Sequence, residues 1–254
     1  MGLGKYITRE VKPLIPANLA NADAALTEND VVFDWTPFTL PNGVNRLLGV
    51  TVIAPPTNAG ASQDFPLDLL FATDTRGNGG IQAGEIPESI GTISSAASPT
   101  ANPYFNDLVG AVKLRADDFT DTEPRSIGIA DGTASENPVI FQSYGTTSKS
   151  NSGNYTFYVA ATTPLTDPSL QSGIDLVGAA SAGQKTTLTV DGATALTLSP
   201  GDVLHAQDNA IVGTVSSITD ENTIVLTAAN TAALADNDIL YNINPIRLIL
   251  TFER

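Results

Sequence analysis

Short runs rich in Thr, Val, Ile, Phe and Tyr recur along the chain, and clusters of Gly, Pro, Asn and Asp separate them. Each run is about 5–9 residues, the ordinary length of a β-strand. Asp30–Trp35, Arg46–Ala54, Phe65–Thr73, Asp107–Arg115, Pro138–Gln142 and Asn154–Ala160 read as strands. Turn-rich stretches such as Thr73–Gly80 and Ser94–Pro103 lie between them. Helical periodicity is nearly absent; only Asn18–Leu26 and Ala228–Leu234 could form a turn or two of helix. A chain patterned this way is confined to all-β architectures.

The apolar strand Leu47-Leu48-Gly49-Val50-Thr51-Val52-Ile53 reads as buried between two layers. Many short strands at regular spacing, joined by long polar connections, predict a jelly-roll-like β-sandwich. At 254 residues and 42% hydrophobic, the chain is long enough to build such a core and a second small one.

Beyond Gln171–Gly183, a Gly/Ala/Ser-rich stretch that reads as a linker, the strand rhythm tightens. Thr186–Val190 is followed by an Asp191-Gly192 turn signal, and Val203–Ala206 and Ile211–Ile218 flank the turn Gln207-Asp208-Asn209. Thr223–Thr227 and Ile239–Tyr241 complete a small barrel or sandwich. The unit is lopsided in charge, with Lys185 alone against Asp191, Asp202, Asp208, Asp220, Glu221, Asp236 and Asp238.

Strong alternation returns at Pro245–Arg254. Ile246, Leu248, Leu250 and Phe252 share one face, while Arg247, Ile249, Thr251 and Glu253 share the other. So apolar a strand cannot hang free, and the first sheet system is its simplest home. The expected organisation is therefore an extended N-terminal arm at 1–25, a sandwich from 26–182 plus 242–254, and an inserted β-module at 183–241. Within the arm, Lys5, Arg9 and Lys12 face only Glu10 among the first 13 residues. A basic arm on an acidic body suggests docking onto an acidic partner; the plainer expectation is a frayed terminus.

Composition narrows function mainly by exclusion. The chain carries 27 acids against 12 Lys and Arg, a net charge of −15. Nucleic acid and anionic membranes are poor partners for it, because both are gripped by cations. There is no cysteine, which removes disulfides, thiolate catalysis and Cys-based zinc sites. No segment approaches the roughly 18 apolar residues of a membrane span. Met1–Glu10 lacks the apolar stretch of a signal peptide, and Tyr6 stands where myristoylation wants Ser or Thr.

Candidate chemistry is sparse. The one histidine, His205, has no titratable partner at a meaningful spacing. Thr73-Asp74-Thr75-Arg76-Gly77-Asn78-Gly79-Gly80 matches a calcium loop only in part, even with Glu85 downstream. The acidic run Asp117-Asp118-Phe119-Thr120-Asp121-Thr122-Glu123 reads as a solvated loop, with a cation site as the alternative. Glu85 and Glu88 could in principle serve glycoside hydrolysis, but with 6% aromatic residues and one tryptophan, Trp35, there is little to stack a sugar. The expectation is a non-enzymatic protein with no cofactor and no metal.

Two stretches resemble known proteins. Pro200-Gly201-Asp202-Val203-Leu204, Ile211-Val212-Gly213-Thr214-Val215, Ser216-Ser217-Ile218-Thr219 and Thr223-Ile224-Val225-Leu226-Thr227 resemble a small β-module of tailed-phage virion proteins. Gly201 and Gly213 would supply its turn or bulge geometry. The segment Pro41-Asn42-Gly43-Val44-Asn45-Arg46-Leu47-Leu48-Gly49-Val50 and Asn154–Ala160 are similar in texture to jelly-roll capsid decoration (cement) proteins of bacteriophage heads. That resemblance implies a virion structural protein on the outer capsid surface. It further implies a trimer or other symmetric homo-oligomer whose partner is the major capsid protein. A tail, collar or baseplate adaptor is the alternative, and a carbohydrate-binding protein a third.

Overall fold

The structure, a computed structural model, describes residues 5–15, 28, 31–56, 62–73, 108–122, 125–131, 138–143, 154–164, 174–191, 198–206, 208 and 210–254. The first nine strands are β1 (Tyr6–Val11), β2 (Val31–Pro41), β3 (Val44–Ala54), β4 (Leu67–Thr73), β5 (Leu108–Leu114), β6 (Phe119–Asp121), β7 (Ser126–Asp131), β8 (Ile140–Gln142) and β9 (Asn154–Thr162). Then come β10 (Ile174–Val177), β11 (Thr187–Val190), β12 (Val203–Ala206), β13 (Ile211–Asp220), β14 (Thr223–Leu226), β15 (Ile239–Asn242) and β16 (Arg247–Glu253). No α-helix occurs among the described residues; Ala116–Asp118 forms a single 3-10 turn.

Pairing is nested. β1 pairs with β16, β2 with β9, β3 with β7 and β8, and β4 with β5, all antiparallel. A chain folded back on itself in this way and then rolled gives two sheets, ordered β1-β16-β3-β7-β6 and β2-β9-β4-β5. This is the jelly-roll arrangement, which hides most strand edges by wrapping. The fold is an all-β, jelly-roll-like sandwich with a small closed barrel inserted in the β9–β16 connection.

Phenylalanines fill the space between the sheets. Phe38, Phe71 and Phe157 come from one sheet, Phe141 and Phe252 from the other. Phe141 stands nearly perpendicular to Phe38, Phe71, Phe157 and Phe252, at centroid distances of 5.7, 5.5, 5.1 and 5.4 Å. Edge-to-face pairing of this kind adds about 0.5–1.5 kcal/mol per pair beyond the area buried. Leu248, Leu250 and Phe252 of β16 are fully buried between β1 and β3, as their alternation requires.

The six-stranded barrel closes in the order β10-β11-β14-β13-β12-β15. It encloses a separate apolar core that includes Ile174, Leu176, Leu188, Val190, Leu204, Val212, Ile224, Leu226 and Leu240. Its first strand, Ile174–Val177, lies inside the Gly/Ala/Ser-rich stretch that reads as linker in the sequence. Four residues are enough there because β10 is held on both sides, by β11 and by β15. Likewise, Tyr6–Val11 of the segment read as an arm is a sheet strand, held along its length by β16.

Candidate functional site

The three basic residues predicted to dock a partner are separated by β1. Lys5 is exposed at its outer end. Arg9 donates from Nε to the Thr39 carbonyl of β2 at 2.6 Å and from Nη1 to the Thr8 carbonyl at 3.1 Å. Since β1 and β2 are edge strands of opposite sheets, Arg9 stitches the sandwich shut along that side. Lys12 lies at the other end, 3.9 Å from Glu10 and against Gly201 of the barrel.

Next to Lys12, the barrel meets the sandwich around one buried acid. Asp202 closes the turn that begins at Ser199: its amide donates to the Ser199 carbonyl, and its Oδ2 accepts the Ser199 amide at 2.8 Å. Gly201 reaches φ +91° in this turn, a conformation that side chains other than glycine's resist. Asp202 is fully buried. Asn242 Nδ2 donates to Oδ2 at 3.0 Å, Arg247 Nη2 to Oδ1 at 2.9 Å, and Arg125 Nη2 stands 3.8 Å from Oδ2. Asp202 and Asn242 belong to the barrel, Arg125 and Arg247 to the sandwich. Burial pulls the Arg125 guanidinium pKa below its ordinary value; Asp202 opposes that pull, and the like charge of Arg247 adds to it. The junction is completed by the Ile15 amide on the Ile243 carbonyl and by Asn244 Nδ2 on the Pro13 carbonyl. This cluster fixes the barrel on the sandwich.

The remaining sequence candidates that the structure describes lie apart from one another. His205 is half-buried on β12, opposite Tyr241 on one side and Ile211 on the other. Asp117 and Asp118 lie in the 3-10 turn, where Asp118 Oδ2 accepts the Arg115 amide at 2.7 Å. Arg115 also pairs with Asp68 at 2.7 Å. Asp121 is exposed on β6, and Glu123 lies outside the described residues, as do Asp74, Arg76, Glu85 and Glu88. Among the described residues, no group of three or more His, Cys, Asp or Glu is placed to hold a metal ion. Trp35 packs with Tyr158 over the buried Ala72, apart from the main core.

The sequence alone does not single out Arg125 or Arg247, and Asp202 stands in it simply as one of seven acids of the module. No protein-family model, no curated protein and no solved structure matches the chain.

Proposed function

We propose that this chain is a non-enzymatic virion structural protein, a capsid decoration (cement) protein on the outer face of a tailed-phage head. The observation that carries the reading is the packed interior of the jelly roll. Where a ligand-binding member of this architecture keeps a cavity lined with polar groups, rings of Phe38, Phe71, Phe141, Phe157 and Phe252 meet one another. Arg9 on Thr39 and Asp202 between two guanidiniums are spent on structure. A fold by itself does not assign a function, so the solid core supports a structural role while the resemblance of the barrel sequence supplies the virion.

The mechanism is linkage. A protein that binds only the assembled lattice stabilises that lattice at each site by RT ln(1 + [L]/Kd), where [L] is its free concentration. A net charge of −15 suits an exterior position, away from packaged DNA. The partner is the major capsid protein, and copies follow the symmetry of the shell. Quantitative mass spectrometry of purified particles tests this: copy number in step with the capsid lattice supports the head. A number equal to the tail's rotational symmetry would move the protein to a tail, collar or baseplate position. Absence from particles, with binding on a glycan array, would replace both readings with a carbohydrate-binding one.

A further inference from the structure

One end of the sandwich gathers basic residues around three exposed apolar side chains. A cross-strand row runs Tyr6–Glu253–Arg46–Ile140 over the outer face of the first sheet, with Val44 beside it opposite Gln142. Tyr6, Val44 and Ile140 are 67%, 53% and 46% exposed, values more usual for polar residues. Arg46, Lys5 and Arg254 are exposed around them. Arg254 donates its amide to the Lys5 carbonyl and its Nη2 to the Asn42 carbonyl, so the start of β1, the end of β16 and the β2–β3 turn form one surface. Apart from Glu253, the described segments that supply this end, 5–9, 42–48 and 138–143, contain no Asp or Glu, although the chain holds 27 acids. Aromatic and arginine enrichment with acid depletion is the composition of an interface.

The other end carries the complement. Along the seven residues of β16, a span of about 23 Å, the chain passes from the barrel to this basic end. On the outer face of the barrel, Val177 is 48% exposed. Asp175 and Asp191 face each other across β10 and β11, with the Asp191 amide on the Asp175 carbonyl. Asp236 accepts the Gly178 amide next to Val177. Like charges directly opposite on a sheet are unfavourable, and a cation placed against them relieves the repulsion.

We propose that the Tyr6–Arg46–Ile140–Val44 surface docks the Asp175–Val177–Asp191 face of the barrel of a second copy, head to tail. Such a heterologous contact closes into a ring or extends as a filament according to its rotation. It stands independently of the virion reading, since it concerns only copies of this chain.

Sedimentation velocity of the full chain at about 0.15 M salt tests it. There the Debye length is about 8 Å, so the repulsion between two acidic bodies is screened while contact pairs survive. The wild type self-associates with concentration. Arg46→Glu weakens association at least about tenfold, and so does the double change Asp175→Lys with Asp191→Lys. Tyr6→Ser and Val177→Ser, which leave net charge unchanged, act in the same direction. An equimolar mixture of the Arg46→Glu and Asp175→Lys/Asp191→Lys proteins recovers association, from a one-to-one dimer upward, because each offers its unchanged surface to the other and the reversed charges also match. A wild type that stays monomeric at every concentration, a barrel variant that associates like the wild type, or a mixture without dimer each overturns the proposal.

Discussion

Asp202 Oδ1 lies 2.9 Å from Arg247 Nη2, a salt bridge between a barrel turn and the first residue of the last sandwich strand, with the carboxylate fully buried. Arg125 shares the same carboxylate at 3.8 Å. Removing one member of a buried pair leaves its partners charged and unmatched, which costs about 3–5 kcal/mol. Asp202→Asn therefore lowers the urea midpoint of the sandwich, read by the fluorescence of Trp35. Replacing the whole cluster with apolar residues (Asp202→Leu, Arg125→Met, Arg247→Met) recovers most of that loss, since buried ion pairs are often no more stabilising than well-packed hydrocarbon. A single variant as stable as the wild type would show that the cluster is solvated in solution.

Phe141 contributes from a strand of only three residues, Ile140–Gln142, yet its ring meets rings from both sheets. Phe141→Ala is expected to cost about 3–5 kcal/mol through the cavity it leaves. Phe141→Leu keeps most of the volume and loses the edge-to-face contacts, so its cost falls below about 1.5 kcal/mol plus the lost aromatic terms. Chemical denaturation of both proteins gives the two values. Equal losses would mean that volume alone holds this site.

How legible each strand is in the sequence follows from which side its large residues face. β16 announces itself because Leu248, Leu250 and Phe252 alternate with polar residues, and the structure buries all three. β1 does not, because Arg9 falls on the side of Ile7 and Val11 and leaves the core by reaching over the edge to Thr39. β7 reads backwards: Ser126, Gly128 and Ala130 face inward while Ile129 is 64% exposed. Its inward side is small because Phe119 and Leu114 occupy the space; a Cβ on Gly128 would lie 2.6 Å from the Phe119 ring. Nested pairing of β1 with β16 spans nearly the whole chain, and local patterns carry no information about partners that distant. Asp202 was hidden for a related reason. Nothing local separates a buried acid from the exposed ones around it until the arginines, far away in sequence, arrive.

Asp220 offers a pH-dependent observable. Hydrogen bonds from the Thr223 side chain and from the Asn222 and Thr223 amides hold its carboxyl below the usual Asp value, against a small opposing effect of burial. A depressed folded pKa means that the ionised form favours the folded β13–β14 turn. That contribution is fully present above the unfolded Asp value of about 3.9 and disappears as pH falls through the lower folded value. Because the group is exposed, the effect on global stability is small. NMR titration of Asp220 should give a midpoint below the ordinary one, and Thr223→Val should move it back upward. A midpoint unchanged by Thr223→Val would remove the side-chain hydrogen bond from the explanation.

The barrel and the terminal strand should respond in opposite ways to deletion. The first and last barrel strands, β10 and β15, are antiparallel neighbours, with Ile174 opposite Leu240. Paired strands lie about 4.8 Å apart, so residues 174–242 can be excised and the ends rejoined by a short glycine linker. The sandwich keeps its own apolar cluster and should fold, weakened by the loss of Asp202 opposite Arg125 and Arg247. Ending the chain at Ile246 removes eight residues instead of 69 but takes β16 from between β1 and β3. Leu248, Leu250 and Phe252 then leave the core, each worth about 1.5–3 kcal/mol of burial, and β1 loses its strand partner in the sheet. That sum is comparable with the whole stability of a typical domain, about 5–15 kcal/mol. Circular dichroism and thermal unfolding should therefore show a cooperative transition for the excised protein and none for the truncated one. A cooperative truncated chain would mean that β16 is an ornament on a sheet complete without it.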